Sequence, residues 1–227
     1  MNHLRFATLV GFLAVTATGV AAQDIASPYR FVDESQHANA FVGLIATDEG
    51  TLGLGPESGL AYGGRYGIRL SGPFVVEAQA AFFPTTRSVQ DTVISATDTA
   101  VVGTGVDADL AIGVASAALR FDITGARTWH RLMPFALLGV GAAFTISSED
   151  DVDDDVAQDV RYEFGTRLLG ELGLGVEWFA ADRLALRLDA RNLLWRIDAP
   201  LGLQPLDAPN EEWVQNFLLS AGVSFRF

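Results

Sequence analysis

Phe217-Leu218-Leu219-Ser220-Ala221-Gly222-Val223-Ser224-Phe225-Arg226-Phe227 sets a hydrophobic residue at every second position and small or polar residues between them. A period of two is the signature of a β-strand with one apolar and one polar face. Phe217, Leu219, Ala221, Val223, Phe225 and Phe227 occupy one face, with Leu218, Ser220, Gly222, Ser224 and Arg226 on the other.

The same period recurs upstream. Leu60, Tyr62, Tyr66, Ile68 and Leu70 alternate with Ala61, Gly63, Arg65, Gly67 and Arg69. Phe74, Val76, Ala78, Ala80 and Phe82 alternate with Val75, Glu77, Gln79 and Ala81. Leu172, Leu174, Val176 and Trp178 alternate with Glu171, Gly173, Gly175 and Glu177, and Leu184, Leu186, Leu188 and Ala190 with Ala185, Arg187, Asp189 and Arg191. Segments near 38–46, 108–122 and 134–145 bring the set to eight, although Gly and Ala dilute their pattern and leave the facing open.

Connections alternate in length. Short ones fall near 71–73, 124–132 and 180–183; long polar ones fall near 47–58, 84–107, 147–161 and 196–212. Short turns on one rim and long loops on the other describe an all-β, eight-stranded antiparallel up-and-down transmembrane barrel. Aromatics at both strand ends fit interfacial belts. Phe74, Phe121, Phe135, Trp178, Phe179, Phe225 and Phe227 are expected near the short-turn rim, and Phe82, Phe83, Phe144, Phe164, Trp195, Trp213 and Phe217 near the other. A soluble closed barrel would share the alternation, but its polar face would carry scattered Lys and Glu. This chain has no lysine.

Composition narrows the function. The 227 residues are 49% hydrophobic, mean hydropathy is +0.26, and 15 basic residues stand against 28 acidic ones for a formal charge of −13. An acidic chain without a basic cluster argues against nucleic acid, and zero Cys removes disulfides, thiol chemistry and a Cys-borne lipid anchor. The four long connections hold 17 acids against Arg87, Arg161 and Arg196, a net −14 that matches the chain without its leader. That leader is residues 1–22. His3 and Arg5 form a basic head, Phe6–Val15 an apolar stretch, and Val20-Ala21-Ala22 a cleavage signature before Gln23, as in a secretory signal. Residues 23–36 are then an N-terminal periplasmic segment and 37–227 the barrel. The longest later apolar run, Met133–Phe144, contains Pro134, Gly139 and Gly141 and is too short for a transmembrane helix.

The terminal strand, the segment Asp182–Arg191, and Met133-Pro134-Phe135 leading into Gly139-Val140-Gly141 resemble the small outer-membrane barrels of the OmpA/OmpX type. The likeness covers roughly residues 37–227 and lacks a peptidoglycan-binding domain. It implies a Gram-negative outer membrane as location, with lipid and lipopolysaccharide as surroundings, and a monomer. It also implies that Phe217, Leu219, Val223, Phe225 and Phe227 form the signal read by the barrel-assembly machinery.

The polar faces assemble candidate lumen charges: Arg65, Arg69, Arg120, Arg187, Arg191 and Arg226 opposite Glu77, Asp122, Glu171, Glu177 and Asp189. Buried charges require partners, and eight strands leave room only for side chains. One reading is a network that fills the interior beneath a scaffold displaying acidic loops. The alternative is a narrow channel for small solutes or hydrophobic molecules, of the kind OmpW-like relatives suggest.

Asp151, Asp153 and Asp155 match the start of a calcium loop, but Val156 stands where its glycine belongs and Tyr162 where its bidentate Glu belongs. They remain only a weak divalent-metal candidate, and no cofactor is indicated. A lipid-modifying enzyme would need His beside Ser or Asp. His37 and His130, the histidines beyond the leader, both fall at the short-turn rim outside any nucleophile motif. Gly103-x-Gly105, Gly139-x-Gly141 and Gly173-x-Gly175 lack the strand-to-helix context of a phosphate loop.

A barrel of this kind stays folded in detergent until heated. Unboiled protein is expected to migrate differently from boiled protein on a denaturing gel, and deletion of Phe227 to lower the membrane-assembled fraction more than deletion of a hydrophobic loop residue. Equal effects would remove the assembly role from Phe227.

Overall fold

The computed structural model describes residues 27–94, 99–148, 151, 158, 161–202 and 210–227. The leader 1–22 lies outside the described residues. Ten strands follow in order: β1 (Tyr29–Phe31), β2 (Gln36–Ala46), β3 (Gly59–Ser71), β4 (Phe74–Ile94), β5 (Thr99–Asp122), β6 (Arg127–Trp129), β7 (Leu132–Ser148), β8 (Thr166–Phe179), β9 (Leu184–Asp198) and β10 (Glu211–Arg226).

Eight of them close a ring. The antiparallel order β7-β5-β4-β3-β2-β10-β9-β8 is completed by β7–β8 pairing. At the seam Ala221 pairs with Val42 of β2 on one side and Leu188 of β9 on the other, and Gly139 meets Glu171 where β7 joins β8. Closure leaves no free edge in the wall. Each wall strand has at least 11 residues, enough to cross a bilayer when tilted.

The alternation decides what faces out. Leu44, Leu60, Ile68, Leu138, Val140, Leu172, Leu174, Leu188 and Leu219 are all exposed on the outer wall, Leu138 and Val140 each to 66%. Water would penalise such a continuous apolar band, at about 25 cal/mol for each Å², whereas lipid would not. Phe74, Phe121, Trp178, Phe225 and Phe227 ring the short-turn end, and Phe82, Trp213 and Phe217 lie toward the other.

Five aromatics expected in the belts point inward instead: Phe135 and Phe179 at the short-turn end, and Phe83, Phe164 and Trp195 at the long-loop end. Each wall member among them shares the inner face with neighbours two residues away, Phe135 with Leu137, Phe83 with Ala81, Trp195 with Leu193, and Phe179 with Glu177. Their height matches the belts; their direction follows the pleat. Two connections also differ from expectation. Most of 84–107 is strand, because β4 and β5 continue as a hairpin well beyond the wall, with a register shift between Ser88 and Gln90. The short connection 124–132 carries β6, which pairs with β1 from the N-terminal segment.

Close strand approach rests on glycine at Gly141. A Cβ there would lie 2.2 Å from the Ala115 carbonyl oxygen of β5, and backbone cannot move aside without breaking the ladder. Gly141→Ala is expected to cost about 1–3 kcal/mol, read as a lower urea midpoint for the heat-modifiable band. Gly170→Ala, whose Cβ would meet nothing nearer than 3.9 Å, is expected to stay near wild type.

Candidate functional site

The lumen has two layers, and the strands dictate both. In the half nearer the short turns, the inner faces of β3, β4, β5, β8, β9 and β10 project Arg65, Arg69, Glu77, Arg120, Asp122, Glu171, Glu177, Arg187, Asp189, Arg191 and Arg226 toward one another. All but Arg69 have side chains at most 2% exposed; that of Arg69 is 11% exposed.

Glu77 and Asp189 are the hubs. Arg187 donates to both Glu77 oxygens at 2.5 and 3.0 Å, and Arg191 adds a bond at 2.7 Å. Asp189 accepts from Arg65 at 3.1 and 3.2 Å, from Arg187 at 2.8 Å and from Arg191 at 3.0 Å. Glu171 binds Arg191 from the far side. Arg120 reaches Glu177 at 2.8 Å and Asp122 at 2.7 Å, Asp122 continues to Arg69 at 2.8 Å, and Glu177 also holds Arg226. Arg120–Glu77 at 3.8 Å and Arg187–Glu177 at 3.9 Å join the two groups, so that six guanidinium groups and five carboxylates form one connected lattice. Guanidinium suits it because a planar fork satisfies two acceptors at once.

Neutral groups complete the lattice. Arg65 donates to Gln79, Asn39 and Ser220 at 2.7, 3.1 and 3.0 Å, and Asn39 donates to Ser224 at 3.1 Å. His37, its ring 3.4 Å from Glu77, sits inside the lumen, whereas His130 occupies a turn against Trp129. The alternation already put Gln79, Ser220 and Ser224 on the charged face; Asn39 and His37 were obscured by the diluted pattern of 38–46.

The half nearer the long loops is mainly apolar inside, with Arg87 and Asn216 the buried exceptions among the described wall residues there, an arrangement the sequence did not reveal. Phe41, Ile45, Phe83, Leu110, Ile112, Val114, Leu169, Leu193, Trp195, Val214 and Leu218 form one buried cluster. Aromatic rings join the layers: Arg65 lies 3.7 Å over Phe41, Arg120 and Arg187 lie 3.9 and 4.5 Å from Phe135, and Arg226 lies 5.1 Å over Phe179. Such cation–π contacts let an ionic layer border an apolar one.

Residues from outside the wall strands pack at both ends of the lumen. Leu54 from the 47–58 connection and Tyr162 and Phe164 from before β8 are buried in the apolar layer. The first connection is held by positive φ at Gly50 and Gly53, by the Asp48 carboxylate accepting from the Gly50 N–H at 3.0 Å, and by Thr51 donating to Glu212 at 2.8 and 3.1 Å. At the other end Val32 packs on Met133, Phe179 and Ala185. Its N–H donates to the Ala126 carbonyl at 3.0 Å, while Gln36 and Phe227 exchange backbone bonds at 3.2 and 3.0 Å.

Phe217, Leu219, Val223, Phe225 and Phe227 all lie exposed on the outer face of β10 and its end. Asp151 is exposed, and Asp153 and Asp155 lie outside the described residues. Among the described residues no three His, Cys, Asp or Glu gather as a metal site.

Removing Glu77 takes a bidentate partner from Arg187 and a bond from Arg191, leaving six buried cations to share four carboxylates. Glu77→Gln is expected to destabilise the folded barrel by about 3–5 kcal/mol, seen as a lower urea midpoint. Pairing it with Arg187→Met is expected to recover part of that loss, because the substitution removes a stranded cation.

No protein-family model matches the chain, and no curated protein matches it. Solved structures do. The E. coli outer membrane protein W is 12% identical, with 86% of this chain and 98% of that one covered and a TM-score of 0.52. The N-terminal β-barrel domain of Pseudomonas aeruginosa OprF is 11% identical over 86% and 98% of the two chains with a TM-score of 0.48, and OprG of the same organism is 15% identical over 88% and 99% with 0.47. The first shares its backbone course closely enough to show a common fold. The closed ring, its apolar exterior and this likeness agree that the chain has the fold of the small eight-stranded outer-membrane β-barrels.

Proposed function

We propose that the protein is an integral outer-membrane scaffold that holds acidic loops at the cell surface and does not conduct along its axis. The observation that carries this reading is the filled lumen. The charged inner side chains of the short-turn half are paired in one lattice, and the space beyond it is packed with apolar side chains under Leu54, Tyr162 and Phe164, with Arg87 also buried at that end. An ion entering from either end meets side chains already bonded to each other, and displacing one strands its partner in a dry interior.

The loops then carry the interaction. Asp48, Glu49, Glu57, Asp107, Glu163, Glu211 and Glu212 belong to the long-loop end, and lipopolysaccharide is the surrounding surface. The barrel-assembly machinery is the partner during biogenesis, reading the outer face of β10.

A second reading has its own observation. A crevice of about 550 Å³ opens in the wall between Leu44, Leu60, Phe217 and Leu219, and reaches Ile45 and Leu218 of the apolar layer. It supports lateral passage of a hydrophobic molecule between the outer lumen and lipid at the border of the ionic layer, where Arg191 also lines the crevice.

Single-channel recording on refolded protein separates axial conduction from a filled scaffold. The scaffold reading expects no unitary conductance from wild type. Reproducible steps that change with Arg187→Ala or Glu171→Ala would overturn it. Uptake of a hydrophobic probe into proteoliposomes that falls when Leu60→Trp fills the crevice would favour the second reading.

A further inference from the structure

Below the wall, β1 and β6 form a small antiparallel ribbon with Tyr29 opposite Trp129, Arg30 opposite Thr128 and Phe31 opposite Arg127. The ribbon hangs from β7 through the pair Trp129–Leu132, and Leu132 in turn pairs with Trp178 of β8. Directly paired residues share a face of a sheet. Tyr29, Phe31, Arg127 and Trp129 therefore lie on the side that continues the outer wall at Trp178, while Thr128, 3% exposed, faces inward.

That outward face is not built for water. Phe31 is 67% exposed, and Tyr29 and Trp129 are each nearly half exposed. The Arg127 guanidinium lies 4.6 Å over the Phe31 ring, and Arg131 follows in the exposed two-residue turn with His130, where both φ angles are positive. Of the acids near this end, Asp182 pairs with Arg30 at 2.8 Å and Glu34 with Arg183 at 3.5 Å, while Asp33 is exposed beside Val32. A chain of charge −13 thus offers aromatics and cations together just beyond the short-turn belt.

We propose that the outward face of the β1–β6 ribbon is an interfacial anchor that binds anionic phospholipid headgroups of the periplasmic leaflet, with Tyr29, Phe31 and Trp129 in the interface and Arg127 and Arg131 on phosphate. Continuity with the lipid-facing wall sets the depth, and the arginines set the charge preference: aromatic rings favour the headgroup level, and each arginine near an anionic surface contributes about fivefold in binding. Lipid capture would hold the ribbon, and with it Val32, under the lumen. The inference rests on the barrel's membrane placement and is independent of conduction.

The test is hydrogen exchange on the full chain in nanodiscs of phosphatidylcholine, with and without phosphatidylglycerol, at low and high salt. The reporters are the amides of Val32 and His130, bonded to Ala126 and Pro28. Phosphatidylglycerol is expected to slow their exchange about fivefold or more, reversibly with salt. Arg127→Gln with Arg131→Gln is expected to abolish the effect and Arg127→Lys to keep most of it, while the Ser220 amide in β10 stays unchanged throughout. Equal exchange in both lipids, or a lipid effect that survives the double substitution, would overturn the anchor. Full access of Trp129 to a water-soluble quencher in nanodiscs would also overturn it and assign the face to a periplasmic protein. Failure of membrane placement reads differently: wall amides such as Leu138 would exchange quickly and the band would lose heat-modifiability.

Discussion

An arginine inside an eight-stranded barrel has no water to fall back on, so its position is set by where a carboxylate can meet it. Glu77 and Asp189 each meet several, and the lattice around them ties β3, β4, β8 and β9 across the lumen. Buried ion pairs of this kind add little net stability over apolar packing. What they impose is a single arrangement: a one-residue slip of β9 would turn Arg187, Asp189 and Arg191 toward lipid together. The aromatic rings over which the arginines lie, and the apolar layer beyond them, are arranged around that fixed point.

How much was legible depended on contrast between the two faces of a strand. In β9 the outward positions from Leu184 to Ala190 are Leu or Ala and the inward ones from Arg187 to Arg191 are charged, so facing and lattice membership could both be read. In β5 the contrast inverts. Leu110, Ile112 and Val114 point inward while Ala111, Ala115 and Ala117 line the outside, and opposite them the register shift falls at Ile146 of β7. In β7 both faces are apolar, with Met133, Phe135 and Leu137 inside and Leu138 and Val140 outside. Hydrophobicity alone carries no direction there, which is why Phe135 was placed in a belt.

Residues outside the strands were the least legible. Leu54, Tyr162 and Phe164 are single apolar residues in polar connections, and nothing in their local sequence marks an inward fold. The N-terminal segment likewise shows no extended alternation, yet Tyr29–Phe31 becomes a strand because β6 offers an edge. Both depend on partners far away in the chain. The acidic excess, by contrast, was readable as a property of place: the wall and lumen are close to neutral, and the charge is carried by the long connections.

The seam between β2 and β10 differs in kind from the other contacts of the wall. Those other pairings join neighbouring wall strands, but His37 meets Arg226, about 190 residues along the chain, so this one pairing carries more of the fold's contact order than any other. Loop closure grows only with the logarithm of length, and the seam bears roughly 2–3 kcal/mol more ordering entropy than a short hairpin. The kinetic barrier to a finished barrel is therefore concentrated at its first and last wall strands. The apolar outer row of β10 lies along that seam, where an assembly catalyst would have most to accelerate.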